Sequence, residues 1–184
     1  MGWPEILETA RLLLRPPIES DASAIFEAYT RDRDVTRYLM WRPHRHLTDA
    51  QEYIERCRAG WNAGTELTWM LTRRTDQRVL GAIAVRPAGH KASIGYVLAR
   101  AFWGQGLMPE AGRALLGQAR RIDGLHRVWG VCDVDNQASA RVMEKIGMMR
   151  EGTLRRWVVH PNISTLPRDA LCYSWIPPTS VQPS

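Results

Sequence analysis

Ile94-Gly-Tyr-Val-Leu-Ala-Arg-Ala-Phe-Trp-Gly-Gln-Gly-Leu-Met-Pro-Glu-Ala-Gly-Arg-Ala-Leu-Leu116 decides the fold of this 184-residue chain. A strand over about Ala92–Ala99 runs into a turn that carries Gly104 and Gly106, and a helix opens directly behind it. Ala111, Ala114, Leu115 and Ile122 recur on one helical face to about Asp123, and Gly124 stops the helix. Pro109 fits the first turn, where no N–H is needed. Such a turn aims consecutive backbone N–H groups at one point, and the helix N-terminus adds unpaired donors and partial positive charge. Glycine serves where the backbone takes unusual dihedrals or touches a ligand. A pyrophosphate is the natural occupant. No G-K-[ST] follows, so this is not a P-loop, and no third glycine or downstream acid makes it a dinucleotide fingerprint. Alone, G-x-G before a helix also has the composition of a purely structural turn.

The second informative stretch is Cys132-Asp-Val-Asp-Asn-Gln-Ala-Ser-Ala-Arg-Val-Met-Glu-Lys-Ile-Gly-Met148. Asn136 can cap a helix to Ile146, with Ala138, Val142 and Ile146 as its core stripe and Gly147 at its end. A strand over Arg127–Asp133 joins the two stretches. Outward from them, Ala10–Arg15 is a short strand stopped by Pro16-Pro17. A helix follows from Ser20-Asp21, with Ala24, Ile25, Ala28 and Tyr29 on one face. Thr48-Asp49 offers the next N-cap, and Ala50, Tyr53, Ile54, Cys57 and Trp61 keep helical spacing up to Gly64. Strands over Leu67–Arg73 and Val79–Arg86 flank a hairpin turn at Thr75–Gln77, and Glu151–His160 and Ala170–Ile176 are the last two strands. The sum is an α/β (α+β) fold: one domain over residues 9–176, a mixed twisted sheet of six to seven strands with helices on both faces. Residues 177–184 read as a fraying tail.

Hydrophobic residues make up 45% and charged residues 24%, the balance of a globular protein with one sizeable core. No apolar run reaches the roughly 20 residues that span a bilayer, and the N-terminus lacks a secretory pattern, so a cytoplasmic protein is expected, with no membrane partner. Cys57, Cys132 and Cys172 are far apart and form no C-x-x-C pair, which argues against a metal site and for packing roles. Net charge is +6, with Lys91 and Lys145 the only lysines. The arginines are spread along the chain, whereas a nucleic-acid binder concentrates charge in a stripe or tail, so no nucleic-acid partner is expected.

Taken together, the two stretches resemble the GNAT superfamily of acetyltransferases. Its acyl-CoA motif corresponds to Trp103-Gly-Gln-Gly-Leu-Met108, and its N-x-x-[A/S] segment to Asn136 through Ser139, running on to Gly147-Met148. The likeness is stronger to the RimJ/RimL-like branch, through Thr9-Ala-Arg-Leu-Leu-Leu-Arg15, Gly95–Leu98, Asp135–Ser139 and Arg168–Tyr173. It covers about residues 9–176. Three positions depart from the broad pattern: Trp103 for glutamine or arginine, Met108 for a small residue, and Met143 for the tyrosine that protonates the leaving thiolate.

The resemblance implies acetyl-CoA as cosubstrate, without a metal, and direct attack of a neutral amine on the thioester. It assigns CoA binding to Val97, Leu98, Ala99, Trp103, Gly104, Gln105, Gly106, Leu107, Met108, Asn136 and Ser139. It places the oxyanion donor at a backbone N–H of about Val97–Ala99. With Met143 unable to donate, it gives Ser139 the proton for the departing sulfur. Glu66 is the first candidate base, followed by His44 and His46. The segments 34–47 and 160–168 border the acceptor, so Trp41 and Trp157 are candidates to shape its pocket. The acceptor is a protein N-terminus, as for the ribosomal-protein enzymes of that branch, or a small amine such as an antibiotic, polyamine or amino acid. A basic nucleic-acid- or ribosome-binding module with a vestigial CoA site is the reading from another class. A homodimer is compatible with the family.

Overall fold

In the computed structural model, which describes residues 2–177, the decisive strand has two unlike neighbours. β5, Lys91–Leu98, pairs antiparallel along its whole length with β4, Val79–Ala88. On its other edge β6, Arg127–Asp133, runs parallel, and only Lys91, Ala92 and Ser93 find partners there, in Arg127, Val128 and Trp129. Beyond Ser93 the two strands part. β6 turns its pairing to β8, Arg168–Trp175, from Val128 through Asp133. The remaining strands are β1, Leu7–Glu8, β2, Leu12–Arg15, β3, Leu67–Arg73, and β7, Met149–Val158. The sheet order is β1-β2-β3-β4-β5-β6-β8-β7, antiparallel at every junction except β5–β6.

Strand side chains alternate between faces, so Gly95 and Tyr96 look to opposite sides of the sheet. Trp69, Ile83 and Tyr96 stand in one cross-strand row; Thr68, Ala84 and Gly95 stand in a row on the other face. Leu67 through Leu71 are all buried, which a strand shows when helices cover both faces. On the Gly95 side, α1, Asp21–Ile25, and α3, Leu47–Ala63, pack on each other. α3 turns Ala50, Ile54 and Cys57 inward and ends at Gly64, in the left-handed conformation at φ 67°. A four-residue helix, α2, Arg33–Thr36, lies between them. On the Tyr96 side, α4, Leu107–Ala119, meets α5, Gln137–Lys145, where the Gly112 backbone lies against Ile146.

Several expectations change. The sheet has eight strands; the added one, β1, is only two residues long and shows no alternation. The first strand begins at Leu12, not Ala10, because the chain turns back through Thr9, whose N–H donates to the Leu12 carbonyl. α1 continues as a π-helical turn, Phe26–Thr30, which buries Tyr29 and Thr30 and leaves Ala24 and Ala28 at the edge of the core. α3 starts one residue before Thr48, and Asp49 acts from inside its first turn, accepting the Arg45 and His46 N–H groups at 2.7 and 3.0 Å. α4 stops at Ala119, short of Gly124. The last two strands start two residues earlier than expected, at Met149–Val158 and Arg168–Trp175. The expected tail lies, from residue 178 onward, outside the described residues. All three cysteines are free and buried.

Asp133, fully buried at the end of β6, fixes the turn into α5. Its carboxylate accepts from Arg168 Nε and Nη2 at 2.6 and 3.0 Å and from the Asp135 N–H at 2.9 Å. Burial, the largest single influence, works to raise its pKa, but the hydrogen bonds from Arg168 and the Asp135 N–H and the nearby charge of Arg168 together outweigh it and hold the carboxyl below the usual carboxylate range. A depressed folded pKa means that the stabilisation is complete above the unfolded value of about 3.9 and is lost as the pH falls through the folded value. Asp133→Asn therefore lowers the thermal midpoint at neutral pH, and thermal unfolding shows the gap to wild type closing as the pH falls below about 4.

Candidate active site

The parting of β5 and β6 leaves one edge of β5 open. Ala99 donates its N–H to the Leu80 carbonyl at 2.8 Å, on the β4 side. Peptide groups of an antiparallel strand alternate in direction, so Val97 and Gly95 also face β4, while Tyr96 and Leu98 turn theirs toward the gap. Of the three residues Val97–Ala99, Leu98 is thus the one whose N–H faces the opening. Its carbonyl accepts from the Trp103 indole N–H at 2.7 Å, so Trp103 folds back over the end of β5.

A 3-10 turn, Arg100–Phe102, leads into the glycine turn. Gly104 and Gly106 sit at φ 76° and 73°, in the left-handed region where a side chain is strained. Gly106 is the N-cap of α4, and the Glu110 N–H donates to its carbonyl at 3.1 Å. The N–H groups of Leu107 and Met108 thus lie at a helix N-terminus, with both side chains buried beneath them. Gln105 ties its amide back to the Ala101 carbonyl at 3.0 Å. The turn is held from outside by residues 94 or more positions away. Glu110 accepts from Thr9 Oγ1 at 2.6 Å, from the Arg11 N–H at 2.9 Å and from Arg11 Nε at 2.7 Å, and Arg11 Nη1 reaches the Gln105 carbonyl at 3.0 Å. Burial works against the Glu110 carboxylate, but these donors prevail and keep it ionised beside the helix N-terminus. This set of aligned donors fits a pyrophosphate.

On the Tyr96 face, α5 aims its first turn at the gap. Asn136 caps it, its Oδ1 accepting the Ser139 N–H at 3.1 Å. The Ser139 hydroxyl lies 2.8 Å from the Tyr96 hydroxyl. Cys132 stands beside Ser139; burial pushes its thiol up to about 11, which leaves it protonated and poorly nucleophilic. Met143 is buried and lies over Gly130 of β6.

On the Gly95 face stands Glu66. Both its oxygens are held by Arg86, Oε2 by Nε at 3.0 Å and Oε1 by Nη2 at 2.7 Å. The Arg86 guanidinium crosses Gly95, where Nη1 would lie 3.4 Å from a Cβ. The pair therefore lies over the point where β5 leaves β6. His44 packs against Trp41 and Tyr53, with ring centroids 4.9 and 6.2 Å away, and burial lowers its pKa. His46 is taken up as the N-cap of α3. Trp41 is joined to the β7–β8 loop through Asn162, whose Nδ2 donates to the Trp41 and Thr36 carbonyls at 2.8 and 2.7 Å. Trp157 stands half exposed on the edge strand β7.

The residues that sequence reasoning missed are Tyr96, Arg86, and the Arg11–Glu110 clamp. Tyr96 and Arg11 stood inside quoted motifs, so their positions were marked, but their partners lie 43 and 99 residues away. No helix among the described residues is long and apolar enough to cross a membrane. Among those residues, no group of three or more His, Cys, Asp or Glu could hold a metal ion.

Comparison with known proteins agrees with the fold. Residues 11–149 match the family model described as an acetyltransferase (GNAT) domain. The uncharacterized N-acetyltransferase YoaA of Bacillus subtilis is 31% identical over 176 residues, 94% of this chain and 97% of its own. RimL, a ribosomal alpha-N-protein acetyltransferase solved in complex with coenzyme A, superposes with a TM-score of 0.82 at 22% identity, covering 94% of this chain and 98% of that one. The microcin self-immunity acetyltransferase MccE, solved with acetyl-CoA and AMP, superposes with a TM-score of 0.81 at 20% identity, covering 91% and 93%. The chain belongs to the GNAT family of acetyltransferases.

Proposed function

We propose that this enzyme transfers the acetyl group of acetyl-CoA to a primary amine by direct attack in a ternary complex. The observation that carries the reading is the two-sided gap between β5 and β6. Ser139 with Tyr96 flanks it on one face, and Glu66 with Arg86 on the other. Acetyl-CoA supplies an activated acyl group whose thiol leaves readily. The Gly104–Met108 turn would hold its pyrophosphate, and the open edge of β5 would pair with its pantetheine amides as an added strand does. The Leu98 N–H, which faces the gap, would receive the developing oxyanion. Ser139 serves the departing sulfur from the α5 side. Glu66, kept in position by Arg86, takes the amine proton through water from the opposite side. No cysteine acts as nucleophile, because Cys132 is protonated and no base is arranged to activate it.

An acceptor of low pKa suits a site whose carboxylate is already neutralised by an arginine. An α-amine near 7.7–8.0 is neutral in roughly a tenth of molecules at pH 7, a lysine near 10.4 in well under a thousandth. A protein N-terminus is therefore the first acceptor, as the RimL likeness also suggests. A small amine is the second, and one observation favours it: Asn162 ties together the two segments expected to border the acceptor. A thiol-release assay with acetyl-CoA against free-N-terminus peptides and small amines decides between them. Turnover with no amine at all would sink the proposal.

Two variants test the assignments. Gly106→Val puts a β-branched side chain at φ 73°, and CoA affinity measured by calorimetry falls at least about tenfold while the fold survives. Normal CoA affinity would place the pyrophosphate elsewhere. Ser139→Ala lowers kcat about ten- to a hundredfold, the low end for general acid assistance because a thiol is already a fair leaving group, and leaves the CoA KM little changed. A raised KM with unchanged kcat would reduce Ser139 to a binding residue.

A further inference from the structure

We propose that Tyr96 is a positioning residue that sets the direction in which Ser139 offers its proton, which rests on the reading of Ser139 as the proton donor. The Tyr96 hydroxyl lies 2.8 Å from Ser139 Oγ and 3.0 Å from the Ser139 carbonyl oxygen. A phenol and an alcohol carry one hydrogen each, so only two arrangements satisfy this triangle. In the first, Tyr96 donates to the Ser139 carbonyl and the serine hydroxyl donates to Tyr96; the serine hydrogen is then spent. In the second, Tyr96 donates to Ser139 Oγ, and the serine hydrogen is free to point into the gap between β5 and β6. Only the second arrangement can protonate a departing sulfur.

The surroundings make the exchange a local rotation of two hydrogens. Asn136 fixes the Ser139 backbone through its N–H, so Oγ and the carbonyl keep their places relative to the phenol. Tyr96 sits in β5 beyond the last residue that pairs with β6, so its ring spans from the free strand to the first turn of α5. Burial drives the phenol pKa well above its ordinary value, so Tyr96 keeps its proton and has a hydrogen to donate in either arrangement. The balance is then simple. The electron pair of the C–S bond ends on sulfur, sulfur takes the Ser139 proton, and the Tyr96 hydrogen bond stabilises Oγ while it is electron-rich. Ser139 recovers a proton from water, which passes on the one released by the acceptor amine.

The test is a double-mutant cycle on the full chain with Tyr96→Phe and Ser139→Ala, read as kcat, CoA KM and thermal midpoint. Tyr96→Phe keeps the ring and removes only the hydroxyl. It is expected to lower kcat about three- to tenfold, the worth of one hydrogen bond, with CoA KM and midpoint unchanged. In the Ser139→Ala background the same change is expected to have no further effect. An equal loss in both backgrounds, or a loss seen only in KM or in the midpoint, would overturn the inference by making Tyr96 a packing residue. If Ser139→Ala slows turnover and Tyr96→Phe does not, this inference alone fails. If Ser139→Ala leaves kcat unchanged, the proposed role of Ser139 fails with it.

Discussion

Three residue pairs hold β5 to β6, and then the strands separate. Everything at the site depends on that separation. An open strand edge carries N–H and C=O groups that need partners, and burying them unpaired costs free energy comparable to a lost hydrogen bond. Here the open edge belongs to a strand that is fully paired on its other side, so Tyr96 and Leu98 are held in place while their peptide groups face the gap. A ligand with amides could complete the ladder, and the glycine turn that follows the same strand is where we propose its phosphates bind. The gap also opens to both faces of the sheet. In the proposed reaction, Ser139 at the start of α5 and Glu66, just before β3, would therefore address one bond from opposite sides.

Keeping the strands apart requires that the elements behind them stay fixed, and much of the signature sequence does this. Thr9 and Arg11 converge on Glu110 and so fasten the first turn of α4 to the start of the sheet. Arg168 grips Asp133 and Asp135, which sets the turn from β6 into α5. Asp169 accepts the N–H of Arg156 at 2.8 Å, and Tyr173 donates to Glu144 of α5 at 2.9 Å. The motifs at the two ends of the chain thus support the two helix N-termini that face the gap. They are far from the chemistry in sequence and one contact away from it in space.

The fold was legible wherever periodicity was long. β3 and β6 lie at the residues that their apolar runs mark, and α5 runs from its Asn136 cap. Two residues of β1 carry no pattern, and the π-helical turn at Phe26–Thr30 changes the helical period in a way that apolar spacing does not report. The glycine turn could be read because left-handed residues leave glycines behind. The partners of site residues could not. Glu66 stood out as a carboxylate at a strand start, yet its pairing with Arg86 is a cross-strand relation 20 residues away. Tyr96 stood inside a quoted motif without a role of its own, because its hydroxyl finds Ser139 only after α5 has folded against β5.

The central claim is that the open edge of β5 and the glycine turn together receive CoA. Residue-resolved amide hydrogen exchange, followed by NMR with and without CoA, tests it most directly. The account predicts that CoA slows exchange at Tyr96 and Leu98 and at Gly104 through Met108. Val97 and Ala99 should keep their rates, because Ala99 is already bonded to Leu80 and Val97 faces the same way. Bound CoA that leaves Tyr96 and Leu98 exchanging at their free rates would contradict it.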